Sequence, residues 1–256
     1  MCIAFLAYRV VPGLPIILAA NRDEYYKRPT QPLHFWEDNP SILAGRDLRA
    51  GGTWLGVSRQ GRLAFITNYR ELQLQHKAPS RGALVRSVLE GEPLDSFGQH
   101  LCHEGHHYHG FNLIYGTVDE LFYFSNRAKE GPVSLTAGIH GLSNALLDSP
   151  WPKILLGKEL FAYLPPQPEA WTNEALFGIM ADRRRPEDHR LPQTGVGVEV
   201  ERILASIFIT TEAYGTRCTT VVKINDLDLV ETEERTYRKI PEIYRSEKQL
   251  FTIARA

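Results

Sequence analysis

The chain has 256 residues, 43% of them hydrophobic and 23% charged, a balance that excludes a disordered polypeptide and supplies a core without disulfide staples. Its 29 Lys and Arg against 30 Asp and Glu leave a formal net charge of −1, so bulk charge gives no reason to bind nucleic acid or an anionic membrane. Three cysteines, Cys2, Cys102 and Cys218, make no disulfide framework and fit a reducing compartment.

The first twenty residues are mostly apolar, but no basic residue precedes the run, Arg9 interrupts it, and Pro12, Gly13 and Pro15 divide it. Those features argue against a secretory signal, and each piece is too short to span a bilayer. Two strands, about 2–10 and 15–21, around a turn at Val11–Leu14, are predicted instead. No other apolar run reaches membrane length, so a soluble, cytoplasmic protein without stable membrane insertion is expected.

Further along, 52–58 and 62–69 read as strands around the turn Arg59–Gly61. A helix follows, with Leu84, Val85, Val88 and Leu89 on one face, Ser80 as its cap and Gly91 at its end. A second is predicted over about 94–102. Strands resume at 111–117 and 121–126 around Val118–Glu120, then at 133–136 and 139–143. Helices are expected over about 150–164 and after Thr172, and 182–198 reads as a polar surface loop. Strands at 205–211, 217–224 and 230–237 complete the pattern. Hairpins imply antiparallel sheets, and neither a G-x-G-x-x-G nor a P-loop supports nucleotide binding. A single α+β domain over 1–256 is the simplest organisation, with two sheets face to face and helices outside.

Cys2 becomes the first residue if Met1 is removed, as its small side chain favours. It then carries an α-amine with a reference pKa near 8 beside a thiol near 8.5, a pairing suited to activating the sulfur. Position two equally suits a small buried residue that starts a strand. The second strand ends in Asn21-Arg22-Asp23-Glu24, which a hairpin returns towards Cys2. Arg22 could then pair with a thiolate and Asp23 with the α-ammonium. A strand-end turn with solvated charges is the plainer reading.

Cys2, the Asn21-Arg22-Asp23-Glu24 tetrad, Gly45-Arg46-Asp47, Gly51-Gly52-Thr53-Trp54-Leu55-Gly56, Thr67-Asn68-Tyr69-Arg70, Gly141-Leu142-Ser143-Asn144 and Gly215-Thr216-Arg217 occur in this order. The pattern resembles the NRDE family, which includes the transport and Golgi organisation protein 2 homologues, over nearly the whole chain. That family is similar to N-terminal-nucleophile (Ntn) hydrolases. The resemblance implies a four-layer αββα sandwich of two antiparallel sheets and a likeness to the cysteine amidases that cleave bile-salt amides and penicillin V. It assigns Cys2 as nucleophile, Arg22 beside the thiolate, Asp23 on the α-amine, Asn68 and Asn144 at the oxyanion or substrate carbonyl, and Arg217 as support. In those amidases the Arg and Asp are separated by two residues. Here they are adjacent, so Asp23 faces Cys2 only if the strand bulges or ends there.

The implied reaction is acyl transfer from a small-molecule amide or thioester through Cys2, with no cofactor. The alternative is a non-catalytic carrier of haem, acyl lipid or coenzyme A on the same fold, with no ligand residue fixed by the sequence; a structural partner in secretory organisation is a weaker reading. The run His103-Glu104-Gly105-His106-His107 matches H-E-x-x-H, but Gly105 disfavours the helix that zinc binding needs by about 1 kcal/mol. A solvated loop is expected there, with metal or haem ligation by Cys102, His103, His106, His107 or His109 as the lesser reading. Gly51, Gly52 and Gly56 are expected to shape the wall of a site around Trp54, or simply to pack.

Overall fold

The computed structural model describes residues 2–72 and 78–255. In chain order the elements are β1 (Cys2–Val11), β2 (Leu14–Tyr25), β3 (Thr30–Phe35), β4 (Ile42–Asp47), β5 (Leu55–Ser58), β6 (Arg62–Asn68), α1 (Gly82–Leu89) and α2 (Leu94–Glu104). There follow β7 (Phe111–Thr117), β8 (Leu121–Ser125), β9 (Val133–Ser134), β10 (Gly138–Leu142), α3 (Pro152–Ala162), α4 (Asn173–Met180), α5 (Val198–Leu204), β11 (Tyr214–Ile224), β12 (Leu229–Arg238) and β13 (Ile240–Thr252). No helix among the described residues is long and apolar enough to cross a membrane.

The strands form two antiparallel sheets, ordered β10-β1-β2-β11-β12-β13 and β3-β4-β5-β6-β7-β8-β9. Alternation along β1 and β2 decides which residues meet between them. Ala4, Leu6, Tyr8, Ile16 and Leu18 join Leu33, Leu63, Phe65 and Ile114 of the opposing sheet in one core. Ile3, Phe5, Ala7, Ile17 and Ala19 point the other way, onto α3 and α4. Glu234 is a polar clasp within the inner core: its carboxylate accepts from the Leu33 N–H at 2.9 Å and the Thr220 hydroxyl at 2.8 Å. Helix α1 covers β5, β6 and β7, and Phe97 of α2 stands edge-on to Tyr115 of β7, with centroids 5.0 Å apart. The expected four layers, helices outside two antiparallel sheets, are therefore the ones observed.

Gly157 explains how closely the outer helical layer approaches. A Cβ there would fall 1.9 Å from the Phe5 ring, so any larger residue would lift α3 off β1. The ring instead packs 5.4 Å from Phe161.

Several expectations are corrected. Residues 205–211 are apolar enough for a strand, yet they make only an isolated bridge, Thr210 with Gly215. Their backbone is claimed elsewhere: the Phe208 N–H donates to the Asp182 carbonyl, and Ile207 and Ile209 carbonyls accept from Asn21 and Thr216. Ser80 gives α1 no side-chain cap; Arg81 occupies that position and the Ser80 carbonyl accepts from the Ala83 N–H. Strands β3, β4 and β13 and helix α5 had no expected counterpart, because their sequences carry weak alternation or too short a period. The H-E-x-x-H run breaks as anticipated: α2 stops at Glu104 and residues 105–107 form a 3-10 turn.

Candidate active site

Strand register brings the chain start and the end of β2 together. Cys2 pairs with Arg22, and Arg22 pairs on its other side with Cys218. All three share the inner face of their sheet. Asp23 lies opposite Thr216, and Arg217 is the unpaired residue of a bulge between Thr216 and Cys218. The adjacency of Arg22 and Asp23 is thus resolved by alternation. Arg22 shares the face of Cys2, whereas Asp23 turns towards the helices, at the strand end that borders the same opening.

That opening is a cleft of about 660 Å³ whose wall includes Cys2, Arg22, Asp23, Trp54, Asn68 and Arg81. Arg22 is buried. Its guanidinium lies over the Trp54 ring at 4.1 Å and donates to Thr30 at 3.1 Å and to Asp47 at 3.3 Å. Asp47 is a hub that the candidate set omitted. One carboxylate oxygen also takes Arg28 at 2.7 Å, and the other accepts the Arg49 and Ala50 N–H groups at 3.0 and 3.2 Å. These ties shape the 47–52 loop, with the Gly51 N–H donating to the Asp47 carbonyl and the Asp47 N–H to the Gly52 carbonyl. Gly52 then meets Gly82 so tightly that a Cβ would fall 2.5 Å from the Gly82 carbonyl carbon. Two glycines are required because this contact seats the start of α1, and with it Arg81, against the cleft wall. Gly56 packs against Leu89 and Ala44 instead.

The Cys2 thiol is half-buried, and burial pushes it above its ordinary value. The Asp23 carboxylate pushes the same way; Arg22 and a backbone N–H of Asp23 pull it down. A thiol held protonated in this manner needs a base before it can attack a carbonyl. Asp23 is itself raised by burial, and Lys153, Thr216 and Arg22 act against the rise. The Thr216 hydroxyl donates to Asp23 at 2.7 Å. Lys153, on α3, is wholly buried, donates to the Leu204 carbonyl at 3.0 Å, and is lowered to about 8, chiefly by burial. Behind it Arg70 and Glu201 form a buried ion pair at 2.6 Å.

Of the other sequence candidates, Asn68 reaches the cleft, and among the described residues its side-chain amide makes no hydrogen bond. Asn144 is buried outside the cleft wall. Its amide donates to the Asn68 carbonyl at 2.8 Å, and its own carbonyl accepts the Arg70 N–H. It therefore positions Asn68, in place of the expected contact with the oxyanion. Arg217 also stands outside the cleft and donates to the Tyr25 and Arg28 carbonyls, both at 2.9 Å, fixing the turn that carries Arg28. Asn21 is structural: its amide ties β2 to the Met180 and Ile207 carbonyls. Among the histidines, His103, His106 and His107 lie on the surface, and His109 alone of that cluster borders the cleft, 3.9 Å from Glu71. Among the described residues no group of three or more His, Cys, Asp or Glu is placed to hold a metal ion.

Sequence reasoning missed Asp47, Arg28, Arg81 and Lys153. Asp47 stood within a noticed motif, and Arg81 was masked by the reading of Ser80 as a cap. Lys153 shares the i, i+4 stripe of Gly157 and Phe161, a period that marks a lysine on a buried helix face.

Residues 1–239 match the model of the family described as Transport and Golgi organisation 2. The human Transport and Golgi organization protein 2 homolog is 36% identical over 271 residues, covering 93% of this chain and 98% of its own. The mouse homolog is 37% identical over 257 residues, with 92% and 93% covered. Among solved structures, a Caenorhabditis elegans N-acylethanolamine-hydrolyzing acid amidase ortholog aligns with a TM-score of 0.50 at 10% identity, over 86% of this chain and 92% of its own. At that identity the likeness is one of fold, the Ntn-hydrolase sandwich.

Proposed function

This chain belongs to the Transport and Golgi organisation 2 family, and on that premise we propose that it is an Ntn hydrolase that cleaves a small-molecule acyl amide or thioester with Cys2 as nucleophile. The observation that carries the reading is the register pair of Cys2 and Arg22 on one sheet face, at the chain start, opening on a cleft that also holds Asn68. Removal of Met1 converts the Cys2 nitrogen into a free α-amine. That amine takes the thiol proton, and the sulfur attacks the substrate carbonyl. The carbonyl π electrons move to oxygen, and the Asn68 amide donates to the oxyanion so formed, a contribution of roughly 3–4 kcal/mol for one such donor. The α-ammonium returns its proton to the leaving nitrogen or sulfur as the carbon–heteroatom bond breaks. Water then attacks the thioester at Cys2, releasing the carboxylic acid and restoring the thiol. Arg22 offsets the negative charge on sulfur. Asp23, one strand position beyond Arg22, orients the α-ammonium from the helical side.

Two measurements test the reading. Intact-mass analysis of the purified protein is expected to show Met1 absent and Cys2 first. Hydrolysis of a panel of acyl amides and thioesters is expected to disappear in Cys2→Ala while the fold persists. Retained Met1 in a hydrolytically competent protein, or an unchanged rate in Cys2→Ala, overturns the proposal.

A further inference from the structure

Among the described residues seven charged side chains line the cleft, four arginines and three carboxylates, and their pairing is uneven. Arg22 and Arg28 share Asp47, and Arg28 also approaches Glu24 at 3.7 Å. Arg81 makes one hydrogen bond, to the Gly110 carbonyl at 2.9 Å, and no ion pair among the described residues. The carboxylates within electrostatic reach of it are Glu71 and Glu24, and each already has its own arginine. Arg127 holds Glu71 through two nitrogens at 2.8 and 3.1 Å, and Arg28 stands by Glu24. Arg49, exposed on the 47–52 loop, likewise makes no ion pair among the described residues. An arginine fork of fixed charge, partly withdrawn from water and held by a single carbonyl, is set to accept a carboxylate or phosphate. Cys2 and Arg81 line the same cleft, and the sulfur lies within electrostatic range of this guanidinium, so an anion held by Arg81 shares the opening with the sulfur.

We infer that the Cys2 cleft takes an anionic ligand, whose carboxylate or phosphate monoester is bound by Arg81 with Arg49 at the entrance, close to the atom attacked by Cys2. Resting on the hydrolase reading, this narrows the substrate class to acyl amides or thioesters bearing such a group near the scissile bond. Neutral acyl compounds of the same length lack the partner that Arg81 requires.

Alkylation of Cys2 reads anion binding without needing turnover. The sulfur displaces iodide from iodoacetate or from iodoacetamide, forming a C–S bond and releasing iodide; the two reagents differ in bearing a carboxylate or a neutral amide. The exposed Cys102 is the internal reference thiol. The iodoacetate-to-iodoacetamide rate ratio at Cys2, followed peptide by peptide by mass spectrometry, is expected to exceed that at Cys102 by about tenfold, the worth of one charge-assisted contact. Arg81→Gln is expected to bring the two ratios together. Arg49→Gln, on the exposed loop, is expected to lower the Cys2 ratio by about two- to threefold and serves if Arg81→Gln misfolds. Inorganic phosphate that slows alkylation of Cys2 more than acetate at equal ionic strength identifies phosphate as the group; the reverse order identifies carboxylate. Equal ratios at Cys2 and Cys102 in the wild-type protein, or a ratio unmoved by both substitutions, overturn the inference. A raised ratio in a protein that hydrolyses nothing leaves anion binding standing and removes only the hydrolase reading.

Discussion

Arg22 and Asp23 are neighbours in sequence and inhabit opposite sides of one sheet. On the inner side Arg22 faces an open cleft, stacked on Trp54 and tied to Asp47, with Arg28, Arg49 and Arg81 around the same opening. On the outer side Asp23 faces α3, where Thr216, Lys153, Arg70 and Glu201 are packed away from water. The two sides handle charge differently. The open side holds more cation than carboxylate and has solvent to make up the difference. The closed side is almost fully buried, so its charges are answered mainly by protein groups. The same strand thus carries a surface suited to binding at one residue and a structural anchor at the next.

The largest test of that contrast is on the closed side. Arg70→Met leaves Glu201 buried beside a methionine and is expected to cost about 3–5 kcal/mol in urea unfolding. A loss below about 1 kcal/mol would make the pair no more consequential than a surface one. On the open side Arg22→Met is expected to cost less, about 1–2 kcal/mol, because Arg28 still neutralises Asp47. Its larger consequence falls on chemistry, a drop of about 100-fold in kcat/KM towards any substrate turned over by Cys2. A variant as unstable as Arg70→Met would erase the distinction between the two faces.

How much of this could be read from the sequence follows the same division. Residues whose placement depends on strand register were legible: Cys2, Arg22 and Asp23 sit where a first hairpin must return, and alternation puts Arg22 and Asp23 on opposite faces. The two-sheet architecture was legible for the same reason, since hairpins with period-two patterns dominate the chain. Long-range partners were not. Asn144 looks like a substrate contact because it is a polar residue in a recognisable motif, and only the folded chain reveals that its amide is already used by the Asn68 carbonyl. Arg81 is a single charge at a helix start, indistinguishable locally from a solvated one, and for Lys153 the i, i+4 spacing with Gly157 and Phe161 is the one local sign of burial. Burial gives each its meaning. The run 205–211 failed as a strand because its carbonyls are taken by Asn21 and by the Thr216 backbone, competition that no local propensity records.

The pH dependence of the closed side gives a third test. Lys153 is lowered from 10.5 to about 8 by burial. Between those values the unfolded chain keeps a proton that the folded chain has released, so stability rises with pH across that window. Below about pH 8 the folded protein carries the cost of a buried ammonium. Lys153→Met removes the titration. The stability of wild type relative to Lys153→Met is therefore expected to climb between pH 8 and pH 10 in denaturant unfolding. A flat difference would place Lys153 in contact with solvent and would open the closed side.

The smallest expected effect lies at the seam between the two faces, in the loop that carries Asn144. Asp148 accepts from the Gly141 N–H at 2.8 Å and pairs with His140 at 2.9 Å and Lys158 at 2.7 Å. Asn112 donates to the Ala145 carbonyl, and the Leu147 N–H donates to Tyr123, so the loop is held from both sheets. Despite its partial burial Asp148 is lowered from 3.8 to about 2, with His140 and Lys158 providing the largest opposing pull; His140 is raised above 6.5, first by its bond to Asp148. The signs differ. The Asp148 contribution is complete above pH 3.8 and is lost as pH falls towards 2, whereas the His140 contribution is complete below pH 6.5 and is lost as pH rises through its elevated value. Asp148→Asn should therefore cost about 1 kcal/mol near pH 6 and progressively less as the medium is acidified below pH 4. Because the loop sets Asn68 through Asn144, the same substitution is expected to lower kcat more than it raises KM. If KM alone changed, Asn68 would serve substrate binding in place of the oxyanion, and the open side would be a recognition surface at that point too.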